Sequence, residues 1–469
     1  MSFVRAHKVE VCIFALALML RLLYFGFAYT AHGGDFAATS NGGDGYYDIS
    51  QNLIAGNGFS TVHEPPYAPT SYRTPGLPYF IALIHALFGS YYAVIAAYLL
   101  VGSIVPLLGM RIAQYITEKQ VVIISVGLLL ALEPTSVLFS TVLLSETLFT
   151  FLFSLSILCL FQYWEERSLK SFVASSLLLG TSILTRPTIE YLPILLVGII
   201  LWEARKRFSR TVCIHAGLYA AIVLITLSPW LYRNYHEFGV LGLSSQQGAA
   251  LYAIAVPSVL AIENHTSFSQ ELNRNIAGPN ETNFAQSDEY SKLAIPILVS
   301  HPRALVLMSM NTMFSFFTYD GTYDVLRQIK LYDGMYDVLA KAKLDSGIRV
   351  GEPTLLVLKS SPRAVLKYLV AVSTTPVAVI LLGRIAWLLI TLLFVIGVWQ
   401  YMRKEHRNVF AVAAVSIVAY LMVTTIVVGY TVNYRYRMPV NSIILTFAAY
   451  EAGILISLYR RKYQEYRLR

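Results

Sequence analysis

The chain has 469 residues, of which 56% are hydrophobic and only 13% charged, and its formal net charge is +9. Soluble proteins carry roughly 25% charged residues, so this composition excludes a water-soluble domain and implies an integral membrane protein with many spans. The positive excess does not point to nucleic acid, because the basic clusters sit beside apolar segments, as topology signals do. Cys12, Cys159 and Cys213 lie in apolar runs without CxxC spacing. They read as small core residues, giving neither a disulfide framework nor a metal site.

The first apolar stretch, residues 9–29, is longer than a usual signal-peptide core and lacks a small-residue cleavage site. It reads as a retained first span. A polar loop follows. Gly42 and Gly43 free the backbone before Asp44, residues 46–55 contain no helix breaker, and Gly56 and Gly58 close the segment. This predicts a short helix beside the membrane with an acidic residue at its N-terminal end. Asp44 then has two readings: a cap favoured by the helix dipole, or a catalytic group on a loop held by a rigid scaffold. Asp48, one turn on, reads equally as a solvated surface charge.

A helical span needs about 20 apolar residues to cross a core of roughly 30 Å. Ten segments qualify, at approximately 9–31, 92–111, 120–139, 143–164, 170–185, 187–203, 211–230, 383–402, 408–430 and 437–458. Basic clusters at Arg5/Lys8, Arg111/Lys119, Arg167/Lys170, Arg205 to Arg210, Arg403/Lys404/Arg407 and Arg460 to Lys462 orient them, leaving both termini cytoplasmic. The Asp44 loop, the turn between Glu133 and Glu146, the turn at Arg186 and the chain after Trp230 then share the outer face. Residues 74–88 begin and end on that face, predicting a re-entrant or interfacial helix. Residues 305–318 and 365–382 are either two further spans, making twelve, or segments lying against the outer surface. The polar stretches 258–292 and 319–363 are too small and unpatterned for soluble domains.

The chain accordingly divides into a first span (1–31), a first extracytoplasmic loop (32–91), a membrane core (92–230), outer-face loops (231–382), and C-terminal spans with a cytoplasmic tail (383–469). It shows no internal repeat, heptad or low-complexity run. The sequons at Asn264 and Asn280 carry little weight, since the pattern is common by chance.

Ionisable residues at span edges are costly and therefore informative. The outer-face set is Arg73, Glu133, Glu146, Arg186, Glu190, Arg233, Arg435 and Arg437, several beside aromatic residues or proline. A guanidinium offers a planar donor set that matches phosphate and stays charged when partly buried. Several arginines and a few carboxylates at one membrane face suit a lipid-linked phosphate or pyrophosphate. The plainer alternative is that each arginine snorkels to headgroups, Arg435 and Arg437 foremost. In that reading Glu190 pairs with Arg186 one turn away, and Glu146 serves the dipole of the helix it begins. His63 and Glu64 resemble a metal pair without a third ligand. Arg21, inside the first span, faces either a carboxylate or a lipid. The many tyrosines fit an interface belt.

Taken in order, the motifs form a pattern. They are Gly43-Asp44-Gly45-Tyr46-Tyr47-Asp48, Arg73-Thr74-Pro75-Gly76, Leu144-Ser145-Glu146-Thr147, Thr185-Arg186-Pro187, Ser228-Pro229-Trp230-Leu231-Tyr232-Arg233-Asn234 and Tyr434-Arg435-Tyr436-Arg437-Met438-Pro439. The arrangement resembles the GT-C membrane glycosyltransferases, in particular bacterial members of glycosyltransferase family 39. These are relatives of protein O-mannosyltransferases and of the aminoarabinose transferases that modify lipid A.

The resemblance implies an all-α polytopic membrane protein, a GT-C bundle of about 10–12 transmembrane helices with a juxtamembrane helix in its first outer loop. It implies a sugar donor on a polyprenyl phosphate and a glycan, lipid or protein acceptor. Transfer would take place with inversion on the extracytoplasmic side of a bacterial inner membrane, without nucleic acid. Asp44 matches the family's acidic residue in the first outer loop, as base or orienting carboxylate for the acceptor hydroxyl. Arg73 matches the basic residue before a proline that would hold the leaving phosphate. Arg186, Arg233, Arg435 and Arg437 would add donor contacts, with Glu146 as a supporting acid. One departure concerns metal: Gly45 follows Asp44 where close relatives often carry a second acid, and Asp48 would substitute at a different helical angle. No cofactor is certain, and a divalent metal is possible. The competing readings are a transporter or flippase for a lipid-linked glycan, or a surface-polysaccharide polymerase. Transporters tend to show internal repeats and helices interrupted at mid-membrane, and neither is legible here.

Overall fold

A computed structural model describes residues 7–203, 210–275, 282–349, 357, 360–405, 408–426, 429 and 434–467. Arg5, Arg205, Lys206, Arg207, Asn280 and Arg407, all invoked above, lie outside the described residues. Regular structure among the described residues is helical throughout. The N-terminal part comprises α1 (Lys8–Ala31), α2 (Phe36–Ser40), α3 (Tyr46–Ala55), α4 (Gly76–Phe88), α5 (Tyr91–Gln114), α6 (Gln120–Leu132), α7 (Pro134–Phe139), α8 (Ser145–Glu166) and α9 (Leu169–Thr185). After a 3-10 turn at Pro187–Ile189 come α10 (Leu192–Glu203), α11 (Arg210–Phe238), α12 (Gln246–Ala250), α13 (Val256–Glu263) and α14 (Phe268–Asn275). The next segment holds α15 (Phe284–Ser300), α16 (Pro302–Thr318), α17 (Thr322–Gln328), α18 (Met335–Asp345) and α19 (Pro362–Ser373). The chain ends with α20 (Val377–Lys404), α21 (Val409–Thr425), the four-residue α22 (Tyr434–Arg437), a 3-10 turn and α23 (Asn441–Arg467).

Among the described residues six helices are long and apolar enough to cross a membrane, Lys8–Ala31, Tyr91–Gln114, Ser145–Glu166, Val212–Phe238, Val377–Lys404 and Tyr434–Arg467, and the bent pair α15 and α16 would make a seventh span if taken together. The protein is therefore a multi-pass membrane protein. Each of the ten expected spans falls on helix, but four of these helices are shorter than the roughly 20 residues of a full crossing. α6, α9, α10 and α21 have 13, 17, 12 and 17 residues. At about 1.5 Å per residue, 13 residues cover only about 20 Å. Prolines account for two of the shortfalls. Pro134 and Pro187 each end the helix before them, because the residue preceding proline is driven out of the helical region. Of the two segments weighed as further spans, residues 305–318 lie within α16, which meets α15 at 102°, and residues 365–382 are divided at Pro376 between α19 and α20.

α8 is the centre of the bundle, packed on α5 and α9; α9 leans on α11, α5 on α1 and α6, and α20 on α23. The cysteine expectation is corrected here. Cys12 and Cys213 are exposed on the bundle exterior and Cys159 is half-buried, since a lipid-facing surface accepts an apolar side chain as readily as a core does. Arg21, in contrast, is fully buried, donating to the Ala17 carbonyl and to Ser136 Oγ at 2.6 Å.

α8 sets the depth of the site. Its 22 residues span about 33 Å, with Glu146 at one end and Arg167 just past the other. At the Arg167 end the polar groups are simple surface pairs, Arg167–Glu203 at 2.7 Å and Arg111–Glu10 at 3.6 Å. The Glu146 end gathers charges from four separate segments.

Candidate active site

α3 starts at Tyr46 with Gly45 in the cap position at φ 78°, a conformation open to glycine and strained for other residues. No side chain caps this helix. The capping reading of Asp44 is thereby corrected: its carboxylate turns to arginines. Asp44 Oδ1 lies 3.5 Å from Arg73 Nη2, and Oδ2 lies 3.3 Å from Arg435 Nη2. Arg73 also donates from Nε to the Asp44 carbonyl at 2.7 Å, so one guanidinium fixes both the backbone and the side chain of Asp44. Tyr46 and Tyr72 lie against that guanidinium, 5.0 and 4.8 Å from ring centroid to carbon.

Thr74, next to Arg73, donates to the Thr185 carbonyl at 3.2 Å. This ties the loop between α3 and α4 to the end of α9, which Arg186 follows. Glu146, in the first turn of α8, is 1% exposed. Its Oε1 accepts from Arg435 Nε at 2.6 Å and from Arg186 Nη1 at 2.7 Å. Arg186 lies over the Tyr436 ring at 4.6 Å, and Arg435 over Phe139 at 5.4 Å. The result is one continuous chain of charge: Arg73, Asp44, Arg435, Glu146, Arg186. Exposure is greatest at the Asp44 side chain, 31%, and least at Glu146, 1%, with Arg73, Arg435 and Arg186 between them. Access is therefore from the Asp44 end, and Glu146 is the buried anchor.

Other candidates stand apart. Arg233 donates to the Thr70 carbonyl at 2.9 Å and to Asn234 Oδ1 at 2.8 Å, with Trp230 beneath it at 4.8 Å. It braces the loop three residues before Arg73. Arg437 is fully buried, 3.4 Å over Trp387, donating to the Phe316 carbonyl at 2.9 Å and to Asn441 at 3.1 Å. Neither Arg435 nor Arg437 reaches for headgroups, so the snorkelling reading fails for both. Both are gripped by protein because their short helix packs against α16 and α21. The ion pair of Arg186 is with Glu146 and replaces the expected Glu190 partner. Glu133 caps α7, accepting from the Ser136 amide at 2.6 Å.

Asp48 stands on the next turn of α3, where its Oδ1 lies 3.9 Å from His63 Nε2. Among the described residues no group of three or more His, Cys, Asp or Glu is placed to hold a metal. Asp44 is flanked by two guanidinium groups, whose repulsion opposes a divalent cation there. The residues around Asp44 do not fit a metal in this arrangement.

The comparisons with known proteins bear on the same segments. Residues 72–232 match the family model described as dolichyl-phosphate-mannose-protein mannosyltransferase, a stretch that includes Arg73, Glu146 and Arg186. No curated protein matches the chain. Across its length the fold is similar to the crystal structure of the Archaeoglobus fulgidus oligosaccharyltransferase in the apo form. The TM-score is 0.51 at 13% identity, covering 98% of this chain and 52% of that one. The fold is of the GT-C type. The resemblance read from the motifs is borne out, although the chain spans only about half the length of the oligosaccharyltransferase it matches.

Within the GT-C frame, sequence reasoning missed one contributor. Tyr434, the residue before Arg435, donates from its hydroxyl to Asp324 Oδ2 at 2.7 Å. Burial holds the Asp324 carboxyl above the usual carboxylate range, against the opposing pull of that hydrogen bond and of Arg327 and Arg435. The available signal was the spacing of Asp324 and Gln328, one helical turn apart in an otherwise unpatterned stretch.

Proposed function

We propose that this GT-C protein is a glycosyltransferase that moves a sugar from a polyprenyl-phosphate donor to a glycan, lipid or protein hydroxyl, with inversion. The reading places it in a bacterial inner membrane with both termini cytoplasmic and the site on the extracytoplasmic face. One observation carries it: the unbroken chain from Arg73 through Asp44, Arg435 and Glu146 to Arg186. Three guanidinium groups face two carboxylates, leaving one positive charge in excess, the complement of a phosphodiester donor. An apolar groove of about 330 Å³ supports the lipid part of the reading. It is lined in part by Gly76, Phe80, Leu148 and Thr185, neighbours in sequence of Arg73, Glu146 and Arg186.

In the step proposed, the acceptor oxygen bonds to the sugar's anomeric carbon as the bond from that carbon to the phosphate oxygen breaks. The electron pair stays on the phosphate, and the acceptor proton passes to Asp44. Charge grows on the phosphate as the bond breaks. Arginines already held in place stabilise it without reorganisation, at roughly 3 kcal/mol per donor. Arg73 pairs with Asp44 at the accessible end of the chain and is not tied to buried Glu146, so it is the arginine assigned to the leaving phosphate. Arg73→Ala is expected to raise the donor KM at least tenfold in an assay of polyprenyl phosphate release. An unchanged donor KM would remove Arg73 from the phosphate site.

A further inference from the structure

We propose that α17 is a bracket that sets the separation of Asp44 and Arg435, with Asp324 and Gln328 as its positioning residues. The proposal rests on the glycosyltransferase reading and extends it to a segment outside the matched family region. Asp324 and Gln328 are four residues apart and therefore share a face of the helix. From that face Asp324 accepts the Tyr434 hydroxyl at 2.7 Å, and Tyr434 immediately precedes Arg435. Gln328 donates from Nε2 to the Thr39 carbonyl at 2.6 Å, and Thr39 lies in α2, five residues before Asp44. The next carbonyl, that of Ser40, accepts the Leu143 amide at 2.8 Å, joining the same loop to the lead-in of α8. One seven-residue helix thus grips the backbone on both sides of the 3.3 Å pair.

Each grip is reinforced. The Tyr434 ring stacks on Phe139 and on Tyr319, with centroids 6.0 and 5.2 Å away. Tyr24, on the first span, donates to the Val325 carbonyl at 3.0 Å and pins the middle of α17. The need for a bracket follows from magnitudes. A partly exposed ion pair contributes only about 0–1 kcal/mol, too little to hold two distant segments in register. A misplacement of about 1 Å at a reacting centre costs on the order of a hundredfold in rate. Rigid backbone on both sides supplies what the pair alone does not. Arg327 and Asp333, paired at 3.3 Å with both side chains exposed, provide a control on the same segment.

The test uses the full chain in lipid nanodiscs with a panel of polyprenyl-phosphate hexoses and pentoses and a cell-envelope extract as acceptor source. Asp324→Asn and Tyr434→Phe, which preserve shape, are expected to lower kcat about tenfold while the donor KM stays within twofold. Asp333→Asn is expected to change neither. On an Arg435→Ala background Asp324→Asn should cost nothing further, because its effect passes through Arg435. A general packing defect would multiply with Arg435→Ala. Full kcat in both single variants, or multiplying losses, overturns the bracket. Hydrogen exchange tests it without any donor. The Asp324→Asn, Gln328→Ala double variant should speed exchange at least threefold in residues 36–45 and 434–440 together, leaving α8 unchanged. Unchanged exchange in either segment overturns the bracket, whereas a wild-type chain that releases no polyprenyl phosphate overturns only the glycosyltransferase reading.

Discussion

Arg435 closes on Asp44 at 3.3 Å across 391 positions of sequence, and the same guanidinium holds Glu146 at 2.6 Å. The last spans of the bundle are thereby tied to its first outer loop and to its central helix at once. Removing the side chain takes one of two arginine partners from each of two carboxylates in one step. Arg435→Ala is expected to lower kcat by roughly two to three orders of magnitude, the scale seen when one preorganised donor is lost. Arg435→Lys should recover little, because an ammonium lacks the fork that spans both partners. Steady-state release of polyprenyl phosphate measures both; near-normal turnover in Arg435→Lys would show that bridging is dispensable.

Gly76 marks where the two halves of the site touch. A Cβ there would lie 2.5 Å from Thr185 Oγ1 and 2.8 Å from Thr185 Cα, backbone that cannot swing aside. Gly76→Ala is expected to push α4 off the end of α9, separating Arg73 from Arg186. Overpacking of this kind costs about 1–3 kcal/mol. A lowered thermal midpoint and reduced turnover should appear together. A variant with wild-type stability and rate would mean that the Gly76 contact does not set the spacing.

Asp320 supplies a pH signature. It is 2% exposed, and burial raises its carboxyl above the ordinary range despite hydrogen bonds from Thr322. A carboxyl raised in the folded state contributes stability that is fully present below the ordinary value of about 3.9 and is lost as pH rises through the folded value. The wild-type thermal midpoint should therefore gain as pH is lowered toward that window. Asp320→Asn should flatten this gain and be no less stable at neutral pH. Parallel midpoint-versus-pH curves for the two proteins would contradict the assignment.

The sequence made the grouping of Asp44, Arg73, Glu146 and Arg186 legible because each of these charges sits near a helix break. Gly45, Pro75, Pro134 and Pro187 mark where helices begin, and the arginines and carboxylates flank them. The partners were not legible. Glu190 is one turn from Arg186 in sequence, yet Arg186 goes to Glu146, 40 positions away. Local spacing cannot reveal that α8 and α9 present these residues to each other. Asp48 looked like a second acid by its position after Asp44, but it stands beside His63. Arg437 carries the same motif as Arg435 and lies under it, stacked on Trp387. Short breaks such as Glu133-Pro134 were hidden inside apolar runs that read as whole spans, so where those helices stop was not legible.

The central claim is that the Asp44 carboxylate, set among guanidinium groups, takes the acceptor proton. Asp44→Asn keeps the size of the side chain and much of its hydrogen bonding while removing the base. The measurement is sugar transfer from a polyprenyl-phosphate donor, run beside binding of polyprenyl monophosphate to the same purified variant. The account predicts transfer reduced at least a thousandfold with monophosphate affinity retained within a few fold. Full transfer by Asp44→Asn would contradict it.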